Sequence, residues 1–181
     1  MKKTLLLILI IGTYLILNCT SASAQDKCKF YVDKTDELTG KQHKATNVLI
    51  KSMAMFSAVS AWGIDFDRMG DDYSLISRLG INTISNENIE ESDSLMLKLE
   101  NGNVITLYSK NRITPKPIIS SGKTVATNYV STYTITYEDF KLLSTLKIIY
   151  IRINVGPLSF ENEMSEKAIP KLQKAAICIL Q

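Results

Sequence analysis

One segment near the middle of the chain constrains the fold more than any other. Leu95, Leu97 and Leu99 alternate with less apolar residues, which is the period-two pattern of a strand with one buried face. The dipeptide Asn101-Gly102 follows, and such a pair accepts the positive backbone φ angles of a type I′ turn. A return segment rich in β-favouring residues comes next. The segment therefore predicts a β-hairpin, and with it a core that contains antiparallel sheet.

The first residues of the chain predict export. Two lysines precede an apolar run over residues 5–17, and the small residues Ala22-Ser23-Ala24 follow it. This is the pattern of a signal peptide over residues 1–24, with cleavage before Gln25. A membrane anchor is the less favoured interpretation, because the run falls short of the roughly 20 residues that span a bilayer. We expect a mature protein in the periplasm or outside the cell.

Lipid attachment is an alternative way of processing this leader. Leu17-Asn18-Cys19 lies where a lipoprotein signal would place its acylated cysteine. Asn18 fits poorly, because the residue before such a cysteine is usually small. Cleavage after Ala24 discards Cys19, whereas lipidation would keep Cys19 as a membrane anchor. Simple cleavage is preferred.

Length and charge limit the classes of protein that the mature chain can belong to. Removal of 24 of the 181 residues leaves 157, which is enough for one domain, over residues 25–181, with a proper core. The leader contains two lysines and no acid, so the formal charge of +3 falls to +1. No basic stripe stands out, and nucleic acid is therefore not expected as a partner.

Two cysteines remain in the mature domain, Cys28 near its start and Cys178 near its end. An exported chain meets an oxidising compartment, in which such a pair can close a disulfide. We predict the Cys28–Cys178 bridge. Two buried free thiols are the alternative that the sequence leaves open.

Alternating and β-branched residues predict further strands along the chain. They lie at residues 29–33, 43–52, 73–81, 129–137 and 146–155. The last of these is apolar on both faces, which favours an interior position in a sheet. Gly40 closes a tight reversal between the first two strands.

Three other stretches are harder to assign. Residues 53–64 fit a helix about as well as a strand, and a strand is preferred. Residues 65–72 are predicted to be a polar turn. Residues 110–128 contain prolines, serines and a glycine with little periodicity, which predicts a long surface loop.

Two helices complete the predicted fold. Thr136 and Asp139 approximate a capping box, which predicts a short helix over residues 137–143. A last helix is expected to begin near Pro170, which is tolerated in a first turn. Its predicted inner face consists of Leu172, Ala175, Ala176 and Ile179. The fold class is α+β: mostly antiparallel β-sheet, with a short helix and a C-terminal helix packed on it.

Four short motifs are shared, in this order, with a group of proteins. They are Asp36-Glu-Leu-Thr-Gly40, residues 95–107 around Asn101-Gly102, residues 133–140 and residues 149–153. The chain resembles small exported bacterial envelope proteins that have such a turn and such a hairpin. The resemblance covers most of the mature chain and implies a shared fold, but it brings no catalytic residues to this sequence.

Nucleotide and calcium chemistry are poorly supported. Gly122-Lys123-Thr124 ends like a phosphate-binding loop, but Pro117 replaces the earlier glycine and a strand follows instead of a helix. Asp65, Asp67 and Gly70 resemble the start of a calcium loop, yet Ile76 stands where a bidentate glutamate is required. A solvated acidic turn is preferred to a loose surface calcium site. We predict no metal and no cofactor.

Catalysis by histidine or cysteine is also poorly supported. His43 is the single histidine and lies among Lys41, Gln42 and Lys44, which predicts an exposed turn residue. A polyhistidine metal site is excluded, and a nucleophilic triad would have to use this residue. Paired carboxylates stay open as catalytic groups, because pairs in space are invisible in a sequence.

The tyrosines of one strand are the remaining functional candidates. Tyr129, Tyr133 and Tyr137 lie on one side of the predicted strand. Left uncovered, they would offer a surface that binds protein or glycan, although strand tyrosines more often pack into a core. The sequence predicts an exported binding or interaction module that is not an enzyme and has an unidentified protein or glycan partner. A carboxylate-based hydrolase acting on an extracellular substrate is the alternative.

Overall fold

The computed structural model describes residues 28–51, 58–120 and 123–181. Its strands are β1 (Val32–Thr35), β2 (Gln42–Lys51), β3 (Val59–Met69), β4 (Asp72–Ile81), β5 (Ser94–Leu99), β6 (Val104–Tyr108), β7 (Lys116–Ser120), β8 (Lys123–Ile135), β9 (Ile148–Val155) and β10 (Leu158–Glu163). Its helices are α1 (Tyr137–Thr145) and α2 (Ile169–Leu180).

The strands form two antiparallel sheets. The larger sheet has the order β1-β2-β3-β4-β8-β7, and the smaller has the order β10-β9-β5-β6. Helix α2 contacts β2 and β3 of the larger sheet, β9 of the smaller sheet, and α1. The predicted α+β class is confirmed.

The central hairpin is present, with a turn that differs slightly from the predicted one. Leu95 pairs with Leu107 and Leu97 with Ile105. Gly102 has a φ of 90°, and its N–H donates to the Leu99 carbonyl at 2.9 Å. The turn is therefore centred one residue earlier than predicted. Strand β9 flanks β5 and β10, so its predicted interior position is confirmed.

A single hydrophobic core contains buried side chains from both sheets and both helices. Trp62, Phe66, Tyr129, Tyr133 and Phe140 are all fully buried. The Trp62 indole N–H donates to the Ser77 hydroxyl at 2.9 Å, so this ring enters the core without losing its hydrogen bond. Phe66 and Phe140 meet edge to face, with ring centroids 5.6 Å apart, and this contact attaches α1 to the larger sheet.

Both helices begin where their sequence signals place them. The Thr136 hydroxyl accepts the Asp139 N–H at 3.1 Å and caps α1. Pro170 lies in the first turn of α2. The four residues predicted to form the inner face of α2 are all buried.

The prediction of a polar turn over residues 65–72 is wrong. Strand β3 continues to Met69, and the reversal takes only Gly70, at a φ of 62°, and Asp71. The acidic residues made this segment look like a loop. Asp65 and Asp67 nevertheless lie in β3, because side chains on neighbouring strands form hydrogen bonds with their carboxylates.

The prediction of a surface loop over residues 110–128 is also wrong. Strand β7 and the start of β8 form a hairpin there. Pro117 is tolerated because β7 is an edge strand, where a missing N–H interrupts no ladder. Strand β10 was not predicted. Of the uncertain stretch 53–64, residues 59–64 belong to β3, residue 58 precedes that strand, and residues 53–57 lie outside the described residues.

The structure contains the predicted Cys28–Cys178 disulfide. The two Cα atoms are 5.6 Å apart, within the normal range for a bridge. Cys178 is buried on α2, so the bridge holds the start of the described chain against the last helix.

Candidate functional site

A cleft of about 660 Å³ lies between β2 and α2. One wall consists of residues 46–49 of β2. The rest comprises Lys29, Lys171, Lys174, Ala175 and Cys178. We call this the lysine cleft.

The local course of the chain creates this cleft. Strand β1 pairs with β2 only along residues 42–45, and its last backbone contact there is the Tyr31 N–H donating to the Ala45 carbonyl at 3.0 Å. The chain then leaves the sheet edge to reach Cys28 and its bridge to α2. The second half of β2 is consequently left without a neighbouring strand on that side among the described residues.

Three lysines surround the opening. Lys171 and Lys174 are three residues apart on α2, so they project from the same helix face. Lys29 follows Cys28, and the disulfide therefore holds it near that face. Lys29 and Lys171 are exposed, whereas Lys174 is half-buried. Among the described residues no acidic side chain lines the cleft. Its lining is therefore basic, although residues 25–181 together carry a formal charge of only +1.

The wall of the lysine cleft contains an unsatisfied polar atom. Thr46 is 3% exposed, and its hydroxyl oxygen has no hydrogen-bond partner among the described residues. Leaving a buried hydroxyl unpaired costs about 1–3 kcal/mol. Most buried polar groups in proteins are paired, so the Thr46 hydroxyl is an exception in the wall of this cleft.

The opposite face of the larger sheet has a charged network centred on Asp65. This residue is fully buried, and the Arg78 Nε donates to its carboxylate at 2.7 Å. The Asn47 side-chain amide and the Tyr31 hydroxyl also donate to it. The hydrogen bond to Asp65 raises the pKa of Arg78, and burial together with the Asp65 charge raises the pKa of Tyr31.

His43 belongs to the same face and is not the exposed turn residue that we predicted. It lies in β2, and its Nε2 is 2.7 Å from the Asp67 carboxylate. The Ser74 hydroxyl donates to the other oxygen of Asp67 at 3.5 Å. In a nucleophilic triad the histidine stands between the acid and the serine, whereas here the acid stands between the other two. The arrangement is a hydrogen-bonded network across three strands.

No paired-carboxylate centre appears in either cleft. Asp65 and Asp67 share a sheet face but are bonded to separate partners, and neither lines a cleft. A second groove, of about 430 Å³, crosses the outside of the smaller sheet beside Tyr150 and Arg152. Within the described part of the chain, Glu163 is the acidic residue that lines this groove. The hydrolase alternative gains no support from these positions.

The three candidate tyrosines do not form one binding surface. Tyr129 and Tyr133 are fully buried between the sheets, so for them the core interpretation holds. Tyr137 begins α1 and is 49% exposed. The Tyr129 hydroxyl donates to the Glu87 carbonyl at 2.9 Å, and burial raises the pKa of Tyr133 to about 12.

Within the described residues, no group of three histidine, cysteine, aspartate or glutamate side chains is placed to hold a metal ion. Asp65 and Asp67, the first residues of the rejected calcium loop, lie in a strand. Among the helices of the described ranges, none is long and apolar enough to cross a membrane.

No protein family, curated protein or solved structure matches this chain. A functional site is therefore inferred from the geometry of the chain itself. Sequence reasoning did not find the lysine cleft, although a signal existed. Lys171, Lys174 and Cys178 follow helical spacing, and the predicted disulfide brings Lys29 to the same helix face.

Proposed function

We propose that this is an exported binding protein without catalytic activity, and that the lysine cleft binds an anionic ligand. One observation carries the proposal: three lysines surround a cleft whose wall contains a buried hydroxyl without a partner among the described residues. A carboxylate or phosphate group would offset the lysine charges and accept the Thr46 hydrogen bond.

The proposed location outside the cytoplasm rests on the leader and the disulfide. Disulfides persist in oxidising compartments and are rare in the cytosol, which supports export of this chain. An intact mass that corresponds to a chain beginning at Gln25 would agree with simple cleavage. A diacylglyceryl group on Cys19 would instead mean that the protein is attached to a membrane.

Calorimetric titration with citrate tests the binding proposal, because citrate is a small carboxylate anion. We expect the wild-type protein to bind citrate, with an affinity that falls as salt is added. The variant Lys29→Gln, Lys171→Gln, Lys174→Gln should bind roughly tenfold more weakly or worse, since loss of a charge-assisted hydrogen bond costs about 1.5–3 kcal/mol.

A control with the same net charge separates the cleft from the overall charge of the protein. Lys110, Lys116 and Lys141 are exposed and lie outside both clefts. Their triple exchange to glutamine should leave citrate binding unchanged. Equal weakening in both triple variants would contradict the proposal, because any surface lysines would then serve.

Thr46→Val tests the buried hydroxyl without changing charge and with little change in shape. We expect the free protein to be at least as stable as wild type, because the substitution removes an unsatisfied group. Citrate affinity should fall, since the ligand loses a hydrogen-bond partner. An unchanged affinity in a stably folded variant would show that Thr46 has no part in binding.

A further inference from the structure

Among the described residues, no strand pairs with the second half of β2 on the side of the lysine cleft, so β2 has an open sheet edge there. In an antiparallel sheet, alternate residues direct their N–H and C=O groups to opposite neighbours. The Ala45 carbonyl accepts the Tyr31 N–H on the β1 side. The backbone groups of Asn47 and Leu49 therefore face the same side, beyond the point where β1 ends. Both residues are exposed, and both line the cleft.

We propose that the ligand of the lysine cleft is an extended acidic peptide that adds to this edge of β2 as an antiparallel strand. This inference rests on the function proposed above and narrows the ligand class. Strand addition gains its affinity from main-chain hydrogen bonds and its specificity from alternate side chains. The open edge supplies the main-chain hydrogen-bonding groups that give affinity, and the lysines of α2 supply the preference for acidic side chains.

The register of the sheet fixes which peptide side chains meet the lysines. Residues directly opposite in an antiparallel pair point to the same face. Thr46 and Val48 are buried on the face that α2 covers. Peptide residues opposite them would face Lys171 and Lys174, so acidic residues are favoured at every second position. The intervening residues would lie beside Asn47 and Leu49, and the side chain of Leu49 is 55% exposed.

Charge complementarity favours a separate acidic chain as the occupant. Lysines are common on exposed edge strands, where their charge prevents edge-to-edge pairing between two copies of a protein. At this edge, three lysines repel a second copy of the same edge but attract a carboxylate-bearing strand.

The probe is the capped peptide Glu-Val-Glu-Val-Glu, which spans about 16 Å when extended and so matches this edge in length. In the proposed register the valine N–H groups point to β2 and the glutamate N–H groups point away. N-methylation of both valines should weaken binding roughly tenfold or more, because the edge hydrogen bonds are lost. N-methylation of two glutamates gives a control with the same charge and length, and this peptide should bind like the parent.

The hydrogen-exchange rates of the Asn47 and Leu49 amides report main-chain hydrogen bonding, which charge neutralisation alone does not create. We expect fast exchange in the free protein and protection in the complex with the parent peptide. Slow exchange in the free protein would overturn the inference, because residues of the chain itself would then cover the edge.

The remaining outcomes separate this inference from the proposed function. Equal binding of both methylated peptides would keep the anion site and overturn strand addition. Binding of citrate without binding of the peptide would do the same. Absence of binding for citrate and peptide alike would overturn both. If the lysines serve only to protect the edge, the peptide does not bind and the triple lysine variant self-associates.

Discussion

Asp65 and Thr46 are buried polar residues on opposite faces of the same sheet, and they differ in what surrounds them. Asp65 receives hydrogen bonds from the side chains of Arg78, Asn47 and Tyr31. The Thr46 hydroxyl has none within the described part of the chain. The hydrogen bonds to the Asp65 carboxylate explain why this acidic segment can form a strand. The unpaired Thr46 hydroxyl lies in the wall of the cleft that we propose as the ligand site.

Gly102 is the residue on which the central hairpin most depends. Its φ of 90° is strained for any residue with a side chain, although a Cβ there would meet no atom within 4 Å. Gly102→Val should therefore destabilise the protein by about 1 kcal/mol or more through backbone strain alone. Gly102→Asn is the control and should cost less, because asparagine tolerates this region better. Urea unfolding of the two variants decides the matter, and equal stability of valine variant and wild type would contradict the turn.

Tyr133 should make the fold sensitive to alkali. Burial raises its pKa from 10.0 to about 12, so the neutral phenol is favoured in the folded state. The stability that the folded state gains from keeping Tyr133 neutral is fully present below pH 10. Roughly 3 kcal/mol of that stability is lost as the pH rises from 10 towards 12.

Melting temperatures between pH 9 and pH 12 measure this effect. Tyr133→Phe should show a smaller loss of stability over that range than wild type. At neutral pH the variant gives up the hydrogen bond from Ser131, worth about 1 kcal/mol. Tyr108→Phe removes an exposed tyrosine and should retain the full alkaline loss. An identical pH dependence of Tyr133→Phe and wild type would refute the assignment.

At the scale of secondary structure, the strands β3 and β4 are held together by a buried charge as well as by their ladder. Arg78 on β4 is the cation beside Asp65 on β3, and its side chain is partly exposed. Arg78→Met should destabilise the protein by about 3 kcal/mol, because it leaves a buried carboxylate without its cation. Thermal or urea unfolding measures the change.

A similar arginine in the smaller sheet offers the matched control for that prediction. Arg152 pairs with Glu161 across β9 and β10, and both side chains are exposed to about the same extent. Arg152→Met should cost less than about 1 kcal/mol, as for most surface ion pairs. A cost of Arg78→Met no larger than that of Arg152→Met would show that the Asp65 charge does not need its partner.

Elements whose own residues determine their conformation were predictable, and elements that depend on distant partners were not. The hairpin at Gly102, the cap at Thr136 and the two-faced apolar strand β9 all carry local signals. Residues 65–69 lacked such a signal, because the partners of Asp65 come from β2, β4 and the segment before β1. Pro117 was misleading for a related reason, since only its edge position makes it compatible with a strand.

The candidate site shows the same limit. The helix face with Lys171 and Lys174 was visible in the sequence, and so was the cysteine pair. The open half of β2 was not, because it results from where β1 stops pairing. The alternation that suggested a binding surface of tyrosines instead places Tyr129 and Tyr133 in the core.

For the whole molecule, the disulfide joins residues 150 positions apart and links the ends of the described chain. A closed loop of that length stabilises a fold by about 5 kcal/mol in the chain-entropy model. That is comparable to the net stability of many domains, roughly 5–15 kcal/mol. Cys28→Ser should therefore lower the melting temperature strongly, and reduction of the wild-type protein should have the same effect. Two reactive thiols in the denatured, non-reduced protein would contradict the bridge.

Amide chemical shifts recorded during a citrate titration would show whether the lysine cleft binds an anionic ligand. The shifts should change in Lys29, in residues 46–49 and along α2 near Lys171 and Lys174, and they should saturate. The groove beside Arg152 should stay unaffected. Saturable changes centred on that groove, or weak changes spread over all exposed lysines, would contradict anion binding at the lysine cleft.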